Sequence, residues 1–220
     1  MIRIADFQAK SLRHLRALSP DINKLKDAAT EADKLDRALV TWSDCLPDTW
    51  RFSFQSITEN PEPANPDDFP LEGSVYKYTS YAYATTWIQY LAIRLVVNGV
   101  HLRFLSALAQ CAEQPTLKTE TERCQKNVSS LASSLCYSVP VFFKSMKKYG
   151  GIVDSSTCAV REDVEIEPRM AAILSCPLVL AVTNDAIPKT QRLWLQRRLK
   201  SVANAIGVGA LHCVADKRLL

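Results

Sequence analysis

Arg94 stands between Ile93 and Leu95, four residues after Tyr90 and seven after Trp87, so the three side chains share one face of a stretch that is otherwise apolar. A guanidinium withdrawn from water has to find acceptors or a ring face, because it cannot shed its charge. The spacing therefore predicts an arginine that stacks on an aromatic ring and pairs with an acid or a loop carbonyl. The alternative use is a core pocket lined by Trp87, Tyr90, Arg94 and Cys136, as in a helical enzyme or ligand carrier, where Arg94 fixes an anionic ligand group.

Other chemistries lack their spacing. Histidines 14, 101 and 212 are scattered, with no H-E-x-x-H pair, and are expected at the surface or the edge of the core. The seven cysteines (45, 111, 124, 136, 158, 176 and 213) are odd in number and never form C-x-x-C. They read as small buried hydrophobes of a reducing compartment. There is no G-x-S-x-G elbow and no phosphate loop, and Gly207-Val208-Gly209 is too short for a dinucleotide fingerprint. Asp67-Asp68 is followed by Phe69-Pro70 without a third carboxylate, and Asn184-Asp185 is likewise incomplete, so a Mg²⁺-diphosphate site is unsupported. Neither a metal nor a cofactor is expected, and the chain reads as a non-enzyme.

Arg197, Arg198 and Lys200 make the best basic cluster, yet they follow Trp194 on a stripe that demands burial, so direct DNA contact is not expected. The net charge of +4 hides an uneven distribution: seven basic residues against Asp216 from residue 188 onward, and seven acids against Arg51 and Lys77 in residues 41–80. Such asymmetry reads as a solvated basic helix face beside an acidic loop.

The elements that position these residues come from 220 residues with 47% hydrophobic and 23% charged content, enough for one domain with a self-supporting core. The longest apolar-looking stretch, 171–182, is broken by Ser175, Cys176 and Pro177 and is shorter than the roughly 20 residues of a membrane span, so a soluble chain is expected. Asp6 and Lys10 interrupt any signal-peptide core, and the Asn127-Val128-Ser129 sequon is read as unused.

Ile4, Phe7, Leu12, Leu15 and Leu18 suggest a helix over 2–18. Ser19-Pro20-Asp21 then reads as N-cap, first-turn proline and dipole-matched acid for a helix with apolar positions 22, 25, 29, 32, 35, 39, 42 and 46. Pro47 stops it, and residues 47–78, with Pro61, Pro63, Pro66 and Pro70, read as an exposed acidic loop. A long central helix is predicted from Thr79 to about residue 112, with Asn98 as its polar intruder. The next runs from about Thr119 through 146, kinked or split at Pro140 and ended by Gly150-Gly151. A shorter helix opens at Glu167-Pro168 and contains Pro177, and the last runs from Ile187-Pro188 to Gly207. No stretch alternates long enough for a strand. The expected fold is all-α, one helical domain of six or seven helices.

Five segments, in order, resemble the regulatory (middle-homology) region of fungal Zn(II)2Cys6 zinc-cluster transcription factors. They are Leu35-Asp36-Arg37 through Leu46-Pro47-Asp48-Thr49-Trp50-Arg51; Val75-Tyr76 with Trp87, Tyr90, Arg94 and Leu95; and Leu135-Cys136-Tyr137-Ser138-Val139-Pro140. Ile173-Leu174 with Pro177-Leu178 and Ala181, then Trp194, Arg198, Leu199, Ile206-Gly207 and Gly209, complete the set. The resemblance spans residues 22–215, and departs from the family pattern at Ile88, Leu91 and Cys176. It implies a nuclear (alternatively cytoplasmic) regulator of fungal metabolic or biosynthetic genes. Its partners would be transcription machinery or a DNA-binding subunit, with a small-molecule effector and no membrane. Trp87, Tyr90, Arg94, Cys136, Pro140 and Trp194 would be its ligand or structural core. The family's DNA-reading zinc cluster has no counterpart here, so the chain is expected to correspond to the C-terminal part of a regulator, either truncated or free-standing.

Overall fold

The computed structural model describes residues 21–56, 74–111, 115–143, 148–149, 152–153 and 166–216. Helix α1 (Ile22–Asp44) is capped by Asp21, whose carboxylate accepts from Asn23 N at 3.0 Å. The cap is thus Asp21 rather than Ser19, which with Pro20 and the helix expected over 2–18 lies outside the described residues. Leu25, Ala29 and Ala32 are buried as the spacing requires, while Ile22 and Trp42, expected on the same stripe, are exposed.

Residues 47–78 are not simply an exposed loop. A 3-10 turn (Asp48–Trp50) leads into β1 (Ser53–Ser56), which pairs antiparallel with β2 (Ser74–Lys77), placing Phe54 opposite Tyr76. Val75, Tyr76 and Tyr78 are buried. Four-residue strands give too few alternations to register as a period, and here they are held by tertiary packing of aromatic side chains. Pro61, Pro63, Pro66, Pro70 and Asp67-Asp68 lie outside the described residues.

Helix α2 (Tyr81–Cys111) is the central element, with buried residues on every side from Ala84 to Leu108. It is long and apolar enough to cross a membrane, which the 171–182 stretch is not, but most of its apolar window is buried within the protein. Helix α3 (Pro115–Ser138) starts one turn earlier than expected. Pro140 ends it rather than bending it: a 3-10 turn (Val139–Phe142) follows, and Phe143 bridges to Ile166. Strands β3 (Lys148–Tyr149) and β4 (Ile152–Val153) then pair where a helix was expected to continue to Gly150.

Helix α4 (Pro168–Val182) contains the buried Pro177, and α5 (Lys189–Ile206) ends at Gly207, whose φ of 69° is the left-handed cap that favours glycine. Helix α6 (Gly209–Ala215) closes the described chain. The fold is therefore all-α, with six helices and two very small sheets among the described residues. The main core joins Leu91 and Leu95 of α2 to Leu135 of α3, Leu174 and Leu178 of α4, and Leu195 and Leu199 of α5. A separate, thinner core lies between α1 and α2, built from Leu25, Ala29, Ala32, Val97, Phe104 and Leu108.

The cysteines divide. Cys124 and Cys136 are buried, but Cys45, Cys111 and Cys176 are exposed and Cys213 is half-buried, correcting the expectation of mostly buried thiols. Three of these fall at or near helix ends or on outward faces, where apolar sequence neighbours do not report tertiary cover. Cys158 lies outside the described residues.

Candidate functional site

The helical face that carries Trp87, Tyr90 and Arg94 points at α1. Arg94 Nε donates to Asp36 Oδ1 at 2.7 Å and Nη2 to Oδ2 at 2.8 Å, a two-bond fork in which each side chain is only about one-seventh exposed. Asn98, one turn on, donates to Asp36 Oδ1 at 2.7 Å and to the Arg94 carbonyl at 2.9 Å. Asn127 of α3 donates to Asn98 Oδ1 at 2.7 Å and reaches Asp36 Oδ2 at 3.5 Å. One carboxylate of α1 thus gathers donors from both α2 and α3.

A second branch runs from Arg94 Nη1 to Tyr90 Oη at 3.3 Å, on to Ser43 Oγ at 2.9 Å, and from Ser43 Oγ to the Val40 carbonyl at 2.8 Å. Each hydroxyl receives one hydrogen bond and passes one on, so the chain is satisfied along its length. Burial works against the Arg94 charge, but the hydrogen bonds and charge of Asp36 outweigh it and hold the pKa above the ordinary arginine value.

These contacts fix a register. Along α1, Leu25, Ala29, Ala32, Asp36, Leu39 and Ser43 repeat at alternating spacings of four and three, the pattern of a helix that packs lengthwise on another. Asp36 meets Arg94 and Ser43 meets Tyr90, so α1 and α2 run antiparallel. Sliding either helix by one turn would leave Arg94 withdrawn from water without its acid, a cost of several kcal/mol. A charged pair inside an apolar stripe therefore specifies alignment more than it adds stability.

The aromatic residues form a continuous ladder beside this clasp. Trp87 Nε1 donates to the Trp50 carbonyl at 2.7 Å, and its ring stands edge-on to Tyr90 and Phe52. Phe52 stacks on Tyr76 with centroids 3.9 Å apart. Tyr76 and Tyr78 bond Ser134 and Ser138 at 3.1 and 2.8 Å. Two residues of extended chain advance about 6.6 Å and four of helix about 6 Å, so the i, i+2 tyrosines match the i, i+4 serines. Desolvation keeps the Tyr78 phenol protonated far above its usual range, despite the hydrogen bond with Ser138.

The remaining predicted site residues lie elsewhere. Cys136 is fully buried and Pro140 shapes the turn that ends α3. Burial pushes the Cys136 thiol well above its usual range, with the Arg198 charge opposing weakly, which leaves a neutral thiol rather than a nucleophile. The Cys124 thiol is likewise pushed up to about 11 by burial, and donates to the Asn98 carbonyl at 3.4 Å. Trp194 is buried, with the Arg198 guanidinium over its ring at 5.0 Å and over Phe143 at 5.3 Å.

The structure therefore brings Trp87, Tyr90 and Arg94 together, and places Cys136, Pro140 and Trp194 in other parts of the core. The anion that Arg94 holds is the chain's own Asp36. In the basic cluster Arg198 turns inward and Lys200 pairs with Asp216 at 2.6 Å. His101 is buried among α1, α2 and α3 rather than at an edge. Asn184 is buried too, donating to the Leu95 carbonyl at 2.8 Å. Among the described residues no group of three His, Cys, Asp or Glu side chains could hold a metal ion.

No motif in the sequence assigns Ser43, Asn127, Ser134 or Ser138 a partner in this network. The signal that points to such partners is Asn98: with Arg94 it puts two polar groups one turn apart on an apolar helix, and both require acceptors nearby. Fold and site define a helical domain whose first described helix is keyed to the core by a buried ionic clasp. Comparison with known protein families, curated proteins and solved structures returns no match.

Proposed function

We propose that this chain is a regulatory, protein-binding helical domain of the kind found in fungal zinc-cluster transcription factors, acting in the nucleus through protein contacts rather than by touching DNA. The observation that carries the reading is the Asp36–Arg94 fork. It joins the first two of the five segments that resemble that family through two residues 58 apart in sequence. Further support comes from the other segments: Trp87 bonds Trp50, Tyr76 bonds Ser134 beside Cys136, and Trp194 carries Arg198. Several residues of the resembling segments thus take part in contacts between elements.

The test is a reporter assay with the full chain tethered to a foreign DNA-binding module. Activation or repression of the reporter is the expected result, and its loss in an Arg94→Ala variant that still accumulates would tie it to this fold. A tethered chain that accumulates in the nucleus and leaves the reporter unchanged, with and without inducing metabolites, overturns the reading.

A further inference from the structure

Helix α1 is attached differently from the rest of the molecule. The apolar side chains it buries fully are Leu25, Ala29 and Ala32, two of them alanines, and they belong to the thin core rather than the main one. Its directional hold comes from Asp36 on Arg94, Asn98 and Asn127, from Ser43 on Tyr90, and from the outer pair Asp33–Arg123 at 3.5 Å. Leu35 and Leu39 add partly buried contacts, Leu39 on both cores, but Leu25 is the one large apolar side chain of α1 that is fully enclosed, so this helix opens more readily than one embedded in the core. Were it to lift, α2 and α3 would present a strip of Val97, Phe104, Leu108 and the half-buried Leu117, with the donors of Arg94, Asn98 and Asn127 converging beside it.

We propose that α1 is a detachable strap, and that the α2–α3 surface beneath it is a docking groove for an amphipathic partner helix that presents a carboxylate one turn beyond a small-residue stripe. The occupant is specified by charge: three donors converge on a single acceptor position, which Asp36 now fills, and an apolar strip leads up to it. Small residues are required next to the carboxylate because Ala29 and Ala32 set the close approach that lets the Asp36 side chain reach the fork. The claim concerns how a helix is captured and stands apart from any role in transcription.

Hydrogen exchange followed by mass spectrometry on the full chain tests the strap. Amides of α1 should exchange at least about tenfold faster than those of α4 and α5, and Asp36→Asn should widen that gap without changing α4 or α5. Equal protection of α1, α4 and α5 in both proteins overturns the strap.

The groove is tested with a labelled peptide copying residues 21–45, titrated into the Asp36→Asn chain. It should bind at least about tenfold more tightly than the same peptide carrying Asn at 36. Equal binding of the two peptides, or binding of neither, overturns the groove. Dimerisation of the Asp36→Asn chain without peptide binding would make a second copy the occupant, and the partner-helix proposal falls.

Discussion

Arg94 and Arg198 are both withdrawn from water and both lie against aromatic rings, Arg94 over Tyr90 at 5.6 Å, but they sit in regions that are held differently. Arg94 meets a carboxylate and a chain of hydroxyls and amides, each bond with a direction. Arg198, 6% exposed, lies over the rings of Trp194 and Phe143, contacts that depend on area and tolerate small shifts. The first arrangement selects one register of α1 against α2 and is weakened by the loss of any member. The second sits in the main core, where α4 and α5 are joined by apolar packing. Directional bonds thus align α1 on α2, while apolar burial joins α4 to α5.

The largest expected effects are a matched pair that can break this contrast. Arg94→Ala should cost about 3–5 kcal/mol in urea denaturation, because Asp36 is left withdrawn from water without its partner. Combining it with Asp36→Ala should cost clearly less than the sum of the single losses. Strict additivity would show that the clasp is not a unit. Trp194→Ala should cost a similar amount, about 3–5 kcal/mol, through a cavity in the main core. No partner deletion should recover it, and a loss as small as a surface substitution would mean that the burial-specified region was misassigned.

A smaller effect sharpens where the two regions meet. Asn98 faces the clasp, while its neighbour Gly99 lies against Asn184 between α4 and α5. A Cβ at Gly99 would come within 2.5 Å of Asn184 Nδ2. Gly99→Ala should therefore destabilise by about 1–3 kcal/mol, read as a lower urea midpoint, by displacing the Asn184 bond to the Leu95 carbonyl. Exchange protection of α1 should change less than that of the segment around Asn184, and the reverse would mean that the two regions are not held separately.

The smallest effect is a pH dependence from His101. Burial lowers its pKa from the ordinary 6.5, opposed by Asp33 of α1 and Glu120 of α3, aided by Arg123 of α3, and opposed again by Asp36. Below pH 6.5 the unfolded chain binds this proton more readily than the folded one does. The fold therefore keeps its full stability from this group above that value and loses it progressively as the pH falls through the window down to the lowered pKa. Between about pH 7.5 and 5.5 the urea midpoint should fall more steeply for the native chain than for His101→Gln. Identical slopes would remove His101 from the account.

Much of the helical framework was legible in the residues. Pro168 and Gly207 mark a first turn and a left-handed cap from chemistry contained within one turn, so their helix ends follow locally. Arg94 could be assigned a ring and an acid because its charge leaves few alternatives, and the structure supplies Tyr90 and Asp36. Strands β1 and β2 were not legible, since four residues carry almost no period and Val75 and Tyr76 are both buried. The exposure of Cys45, Cys111 and Cys176 escaped for a related reason: apolar neighbours in sequence do not say which way a helix faces.

By itself the sequence determined an all-α chain with one long apolar helix bearing a guanidinium that had to be answered. Helical periodicity and capping are written in contacts four residues apart, within reach of inspection. Only the tertiary structure decided that the answering acid is Asp36, that α3 lends it Asn127, and that Pro140 ends a helix instead of bending it. Those choices rest on contacts between groups as many as 91 residues apart, as for Asp36 and Asn127. Nothing local distinguishes the chosen carboxylate from the other acids of the chain until packing removes the water around it.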